Sequence, residues 1–261
     1  MTDLHLPIRV EDGDGVRCVI LNRPDKLNAM TEPMYDRLTE LLIDAALRPS
    51  ISCVAITGTG RAFSTGRDVR HFVAQPLADD GRRHGSIPCI EELMQFPKPL
   101  LCAVNGIAVG FGATLPLHCD LVIASSVARF RFPFVELGLA GESASSVTLP
   151  LRIGYQQAAR LLLTGDWVDA SEALSLGLVM KVVDLEDLMP ITLDLARRIA
   201  RMPADAVQGT KKLLLASKVE AVRTAFAREG ESYARLLGGP ANRAAIEAFT
   251  TTRRAKGEQN G

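Results

Sequence analysis

The amino-acid sequence predicts an α/β protein whose last third is helical. Over the first two-thirds, short apolar, β-rich runs alternate with stretches of helical periodicity. From Gly154 onward, helical periodicity dominates. Hydrophobic residues make up 47% of the 261 residues and charged residues 23%, a balance that supports a sizeable apolar core.

The first elements predicted are two strands and a helix. Strands at 8–11 and 16–22 flank an Asp-Gly-Asp-Gly turn at 12–15. Thr31 is placed to cap a helix with Pro33 in its first turn, and Pro49 ends it. The predicted apolar face of this helix is Tyr35, Leu38, Leu41, Leu42 and Ala45.

Three more strands and one more helix are predicted before the helical part begins. The strands, at 51–57, 100–104 and 121–124, are short apolar runs bounded by turn-forming or polar residues. The segment Gly110-Phe111-Gly112 opens the helix between the last two. A polar stretch from Gly66 to Pro88 is predicted to be largely mobile.

In the last third, capping signals occur at Asp169 and Ser171. Helix breaks are predicted at Pro190, at Pro203 and at the Gly-Gly-Pro segment 238–240. The chain is therefore expected to divide into a core of residues 1–200 and a C-terminal helical region of residues 201–261.

The charge balance argues against two classes of partner. Lysine plus arginine (30) equals aspartate plus glutamate (30), so no net charge attracts nucleic acid or an anionic membrane.

The five cysteines form no C-x-x-C pair, which favours free, buried thiols. The four histidines show no metal-ligand spacing, so no metal site is predicted.

The ends of the chain carry no targeting pattern. The first ten residues lack an apolar signal core, and no window reaches the roughly 18 apolar residues that a membrane-spanning helix needs. The C-terminal EQNG is no retention or peroxisomal address. The expected location is therefore cytoplasmic.

Two glycine-bearing turns are the first candidates for chemistry. One runs from Gly60 to Asp68 after the strand ending at Thr57, and the other from Asn105 to Gly112. Peptide N–H groups freed at such turns can donate to an oxyanion, and two converging donors would hold an enolate oxygen. By spacing alone, ordinary turns are the more common explanation. Neither segment is a P-loop or a dinucleotide-binding fingerprint.

The motifs together resemble the crotonase (enoyl-CoA hydratase/isomerase) superfamily in order and spacing, from about residue 15 to 185. They are LNRPDKLNAM (21–30), GTGRAFSTGRDV (58–69), PKPLLCAVNGIAVGFGATLPLHCDLVIAS (97–125), ELGL (136–139) and LLLTGDWVDASEALSLGLVMKVV (161–183). AFTTTRRAK (248–256) is similar to the family's closing helix. The resemblance implies a β-β-α spiral as the catalytic core and a C-terminal helical trimerisation region, assembled as a homotrimer or a dimer of trimers.

The resemblance also implies acyl-CoA as the substrate, with its thioester oxygen held by two backbone N–H groups. Carried over by position, these donors are Thr65 and Phe111. The same comparison places Lys26, Leu27 and Ala29 along the CoA nucleotide, with the backbone of Gly66, Arg67 and Asp68 beside it, and Gly110 in the second turn. A basic cluster of Arg253, Arg254 and Lys256 is equally compatible with CoA phosphates and with a solvated helix end.

Hydratases of this family use two glutamates, and both are missing here. Their positions are occupied by Thr114 and Phe134. Thr is no base near neutral pH and Phe has no proton to exchange.

A single carboxylate remains at Glu142, four residues after Gly138. The resemblance places the catalytic glutamate of peroxisomal and yeast-type Δ3,Δ2-enoyl-CoA isomerases there. Apolar neighbours, Leu139, Ala140 and Phe134, should raise its pKa. Without the resemblance, the simpler interpretation of Glu142 is a carboxylate that stabilises a helix N-terminus. Glu136 is interpreted as a solvated surface residue.

The leading hypothesis is thus a trimer-based enoyl-CoA isomerase that needs no metal and no redox cofactor. Two alternatives stay open. One is another crotonase-type reaction on a ring or polar acyl-CoA, including hydration. The other is a non-catalytic acyl-CoA-binding protein. Acyl chain length, pathway, and trimer against hexamer are not predicted.

Overall fold

The computed structural model of the chain describes residues 5–68 and 83–248. Its strands are β1 (Ile8–Gly13), β2 (Val16–Leu21), β3 (Cys53–Gly58), β4 (Ala62–Ser64), β5 (Leu100–Val104), β6 (Ile107–Val109), β7 (Leu121–Ser125), β8 (Arg129–Arg131), β9 (Val168–Asp169) and β10 (Lys181–Val183). Its helices are α1 (Glu32–Leu47), α2 (Ser86–Gln95), α3 (Phe111–His118), α4 (Ser145–Ile153), α5 (Tyr155–Thr164), α6 (Ala170–Leu176), α7 (Leu188–Ala200), α8 (Ala204–Ala216) and α9 (Val219–Leu236). Residues 240–248 are also helical.

The strands form two sheets. The larger has the order β1-β2-β3-β5-β7-β10, in which only the β1–β2 pair is antiparallel. The smaller has the order β4-β6-β8-β9, with an antiparallel pair at the β8–β9 end. Along the chain, strands alternate between the two sheets, because β3, β5 and β7 are each followed by a strand of the smaller sheet. Successive β-β units with intervening helices confirm the predicted β-β-α spiral.

The smaller sheet is the part of the fold that the residue pattern did not predict. Strands β4, β6 and β8 have three residues each, which is too few to establish an alternation of apolar and polar side chains. Helix α2 was also missed, and the polar stretch predicted to reach Pro88 ends earlier because α2 begins at Ser86. Much of that stretch, 69–82, lies outside the described residues.

The first hairpin and first helix follow the prediction closely. Strand β1 runs on to Gly13, so the turn shrinks to Asp14 and Gly15, both with positive φ, as a two-residue hairpin requires. Helix α1 begins after Thr31, which is extended but makes no side-chain cap. Its buried face comprises Met34, Tyr35, Leu38, Leu41, Leu42 and Ala45.

The helical part differs at one predicted break. Pro190 lies in the first turn of α7, where its missing N–H costs no helical hydrogen bond, so the helix continues. Pro203 precedes α8, and α9 ends at Leu236 just before the glycine pair. Asp169 caps α6 by accepting a hydrogen bond from the Glu172 N–H at 2.9 Å.

The main apolar core lies between the sheets and helices α1 to α4, and a smaller one lies under α7. All five cysteines are buried and unbridged, as predicted. In the described part of the chain no helix combines the length and apolarity needed to cross a bilayer.

Close backbone contact joins the two glycine turns. A Cβ placed on Gly112, in the first turn of α3, would lie 2.0 Å from the carbonyl oxygen of Ser64 at the end of β4. Only glycine permits this approach, because the atom it would meet is backbone and cannot swing away. The contact presses the start of α3 against the end of β4.

We therefore expect Gly112→Ala to lower the free energy of unfolding by ~2–3 kcal/mol, through overpacking that the backbone cannot relieve. Gly209→Ala is the matched control, since Gly209 lies in the exposed part of α8 with nothing within 4 Å of an added Cβ. It should raise stability by ~0.5–1 kcal/mol through helix propensity. Urea unfolding at neutral pH measures both, and equal effects of the two substitutions would contradict the packing argument.

Candidate active site

A pocket of about 190 Å³ opens where the two glycine turns meet the segment after β8. Residues from both turns, from 131–142 and from α9 share its wall. They are Thr65, Gly66, Arg67, Val109, Gly110, Phe111, Arg131, Pro133, Phe134, Glu136, Leu137, Leu139, Glu142 and Tyr233.

The pairing of β4 with β6 brings the two turns together. The strands are parallel neighbours, so their carboxyl ends meet at one edge of the smaller sheet. Gly66 follows β4 with φ of +79°, and a Cβ there would lie 2.8 Å from the Val109 oxygen and 3.1 Å from the Phe111 nitrogen. The second turn therefore needs glycine at position 66 to come this close.

Phe111 is the first residue of α3, so its N–H has no acceptor within the helix. Among the described residues no acceptor for this N–H is present. The Phe111 ring is buried and packs edge-on against Tyr35 of α1, with ring centroids 4.9 Å apart.

The prediction that Thr65 supplies the other donor is wrong. Its N–H donates to the carbonyl oxygen of Leu27 at 3.0 Å, so that group is already used within the protein. The Gly66 N–H likewise donates to Ser64 Oγ at 3.2 Å.

Arg67 also lies in the first turn, and its peptide group is oriented differently from those of Thr65 and Gly66. It pairs with Met30 as an isolated parallel bridge, in which the Met30 N–H bonds to Gly66 and the Asp68 N–H bonds to Met30. In such a pair, the middle residue directs its own N–H away from the partner strand. Arg67 also lines the pocket.

Glu142 lies on a turn whose backbone is strained. Ser143 and Ala144, directly after it, have positive φ values of 60° and 56°, a conformation that costs L-residues about 1–2 kcal/mol each. Burial lowers the pKa of His118 to about 4, so its ring is neutral near pH 7 and Nε2 donates to the Ser143 oxygen at 2.9 Å. Backbone strain sustained by surrounding contacts is typical of functional sites.

The Glu142 carboxylate is half-buried at the pocket wall, beside Phe134 and Leu139. Loss of solvation raises its pKa from 4.5 to about 7, in the direction predicted. The charge of Arg67 opposes this rise and the charge of Glu229 adds to it. Within the described part of the chain, no hydrogen bond or ion pair ties up the carboxylate, which is left to act on a ligand.

Two tyrosines complete the surroundings of Glu142, and the sequence analysis identified neither as a site residue. Desolvation, followed by the Glu142 charge, raises the pKa of Tyr35 well above its usual value and that of Tyr233 to about 12. Both are therefore neutral phenols. Arg67 is held by Glu32, with 2.5 Å between Nη2 and Oε1. Tyr233 lies on α9, where no local motif marks it.

The two hydratase positions are structurally distinct. Thr114 is fully buried on α3 and its hydroxyl donates to the Phe111 oxygen at 3.4 Å. Phe134 lines the pocket. Glu136 is exposed, as predicted, and pairs with Arg131 at 2.6 Å on the pocket wall.

The remaining predicted residues lie beside the first turn. Lys26 is exposed, and Ala29 contributes its carbonyl oxygen to Arg23. Asp68 is buried and pairs with Arg23 at 3.4 Å, so it is part of the scaffold. Arg253, Arg254 and Lys256 lie outside the described residues.

Comparison with known proteins identifies the family to which the chain belongs. Residues 11–260 match the enoyl-CoA hydratase/isomerase family, and the chain belongs to it. Members of this crotonase family are enzymes that act on acyl-CoA substrates.

Individual relatives differ in their reactions. The chain is 34% identical to the 1,2-epoxyphenylacetyl-CoA isomerase of Escherichia coli K12, over 92% of this chain and 93% of that one. It is 32% identical to the 2,3-dehydroadipyl-CoA hydratase of the same strain, over 91% and 93%. A solved enoyl-CoA hydratase/isomerase from Pseudoalteromonas atlantica T6c superposes with a TM-score of 0.91 at 34% identity, covering 95% of this chain and 98% of that one.

The raised pKa of Glu142 has a consequence for stability. Because the folded-state pKa lies above that of the free side chain, the folded protein holds this proton more tightly than the unfolded one. Stability is therefore lost as pH rises from about 4.5 to about 7. We expect Glu142→Gln to be ~1–2 kcal/mol more stable than the parent at pH 8, after allowance for partial exposure, with the gain shrinking toward pH 5.

Urea unfolding at pH 5 and pH 8 measures this gain. Glu231→Gln, at an exposed position on α9, is the control and should show no pH-dependent gain. A Glu142→Gln gain that is equal at both pH values would show that Glu142 ionises normally.

Proposed function

We propose that the protein is an enoyl-CoA isomerase that moves a double bond from the 3-position to the 2-position of the acyl chain. The observation that carries this proposal is Glu142, a pocket carboxylate with no hydrogen-bond or ion-pair partner among the described residues and with a pKa of about 7, in a pocket shared with the Phe111 N–H. The two carboxylates that hydration requires are replaced by Thr114 and Phe134.

In the proposed reaction, Glu142 removes a proton from C2 of a 3-enoyl-CoA. The electron pair left at C2 delocalises over the thioester oxygen and the C3–C4 double bond as a dienolate. The protonated Glu142 then returns the proton to C4, and the double bond comes to rest between C2 and C3. The carboxylate ends in its starting state, so the step requires no redox cofactor and no metal. A base with a pKa near 7 suits transfer in both directions.

The developing charge on the thioester oxygen needs donors at fixed positions. We assign the peptide N–H groups of Phe111 and Arg67 to this task, in place of the Thr65 N–H. The orientation of the Met30–Arg67 bridge and the contact between Gly66 and Phe111 support the assignment. Donors fixed by the fold stabilise an oxyanion without reorganising during the reaction.

Binding of the CoA moiety is proposed beside the first turn, with Lys26, Leu27 and Ala29 along the nucleotide, the backbone of Gly66, Arg67 and Asp68 beside it, and Gly110 in the second turn. The contact of Leu27 with Thr65 places this segment against the pocket edge. A homotrimer or dimer of trimers in the cytoplasm is part of the same proposal.

The second candidate is isomerisation of a ring-bearing or oxygenated acyl-CoA. The 34% identical relative is named for an epoxyphenylacetyl-CoA isomerisation. The apolar wall of Phe134, Leu137 and Leu139 in a pocket of about 190 Å³ is compatible with a compact acyl group. Glu142 would again be the proton carrier.

The test is an assay of the full chain with 3-enoyl-CoA, 2-enoyl-CoA and 1,2-epoxyphenylacetyl-CoA, comparing the parent with Glu142→Gln. We expect conversion of the 3-enoyl ester without hydration of the 2-enoyl ester. Loss of the base should reduce kcat at least about 100-fold with CoA-ester binding retained. The acid limb of kcat/KM should have its midpoint near pH 7.

Glu136→Gln is the control, because it removes a carboxylate from the same pocket wall at an exposed position. Hydration of the 2-enoyl ester, or full activity without Glu142, would contradict the proposal. Turnover of the epoxide alone would select the second candidate, and CoA-ester binding with no turnover would point to a binding protein.

A further inference from the structure

Helix α9 carries a buried carboxylate that the proposed reaction does not use. The buried stripe of this helix comprises Val222, Ala225 and Glu229, spaced as one face of a helix. Glu229 is 7% exposed, which is unusual for a glutamate on an apolar stripe. Its place in this stripe therefore requires an explanation.

One oxygen of Glu229 has a structural partner. Oε1 accepts a hydrogen bond from the Ser146 N–H at 2.8 Å, at the start of α4. Ala144, the residue preceding α4, has no capping side chain and a left-handed backbone. A carboxylate at a helix N-terminus satisfies a freed N–H and complements the helix dipole. Glu229 thus supplies from α9 the cap that α4 lacks.

The capped segment is the one that carries Glu142. The Glu142 carbonyl oxygen accepts from the Ser145 N–H at 3.1 Å, one residue before the Ser146 N–H that Glu229 holds. The left-handed conformations of Ser143 and Ala144 fall between these two anchors. Without an external anchor, such a turn would relax toward ordinary backbone angles.

The other carboxylate oxygen of Glu229 lies in an unusual environment. Oε2 of Glu229 is buried with no hydrogen-bond partner among the described residues, as are Ser143 Oγ and Ser145 Oγ on the same turn. A carboxylate whose only role is to cap a helix would lose less solvation free energy if it remained in contact with solvent. The burial of Oε2 therefore costs folding free energy that capping alone does not require.

We propose that Glu229 is a positioning residue, which fixes the turn bearing Glu142 and places a negative charge behind it. This inference rests on the proposed isomerase function. It extends the active site to the C-terminal helical region, since Tyr233, one turn further along α9, lines the pocket.

The charges around Glu142 set the expected sign. Arg67 lowers its pKa and Glu229 raises it. Tyr35 from α1, Tyr233 from α9 and His118 from α3 are neutral near pH 7. Removing the Glu229 charge therefore moves the acid limb of kcat/KM to lower pH.

Three variants of the full chain test the proposal. Glu229→Gln keeps an oxygen for the Ser146 N–H and removes the charge, while Glu229→Ala removes both. Glu231→Ala, at an exposed position on the same helix, is the control. The measurements are kcat and KM across pH, and amide hydrogen exchange of the peptide spanning 139–149.

We expect Glu229→Ala to lose about 10- to 100-fold in kcat with KM nearly unchanged, because a misplaced base reduces turnover more than binding. Exchange of the 139–149 peptide should accelerate. Glu229→Gln should retain most of kcat and the parental exchange, and its acid limb should move to lower pH. Glu231→Ala should match the parent.

Parental kcat and exchange in Glu229→Ala would overturn the proposal. So would Glu229→Gln if it is as impaired as Glu229→Ala, or if its acid limb stays at the parental pH. Hydrogen exchange separates this inference from the proposed function. A parent protein without isomerase activity refutes the function, whereas parental exchange in Glu229→Ala refutes the positioning role.

Discussion

The structure depends on one close backbone contact, that of Gly112 on the end of β4. This contact sets the start of α3 against the first glycine turn, and the parallel pairing of β4 with β6 keeps the two turns side by side. The Phe111 N–H emerges at this point, and Glu142 faces the same pocket. Because backbone atoms on both sides define the geometry, the donor positions depend little on side-chain rotamers.

The electrostatics of the pocket oppose the stability of the fold. A carboxylate with a pKa near 7 lies beside apolar walls and on a turn with two left-handed residues. Each of these features costs folding free energy, and each suits the base that the proposed isomerisation requires. Apolar burial in the main core and in the smaller core under α7 supplies the compensating free energy.

The sequence was informative where patterns are long or motifs are local. Helix α1, the β1–β2 hairpin and the long strands of the larger sheet follow from periodicity and turn chemistry, whereas Glu142 was singled out by the family resemblance. The three-residue strands of the smaller sheet could not be predicted, because three residues are too few to establish the alternation on which strand prediction relies. Thr65 was misassigned because its N–H is bonded to Leu27, a partner 38 residues away along the chain. Tyr233 reaches the pocket, and Glu229 reaches the start of α4, only through tertiary packing of α9. A glutamate on the apolar stripe of an amphipathic helix was the one available signal.

The position of α9 over the pocket has a consequence for the order in which the protein matures. Glu229 and Tyr233 follow Glu142 by more than 80 residues, so the ribosome releases the two glycine turns and the base well before it releases the helix that completes their surroundings. At that stage the nascent chain holds the site without Glu229 and Tyr233. Docking of the last long helix is therefore the step that completes the pocket wall.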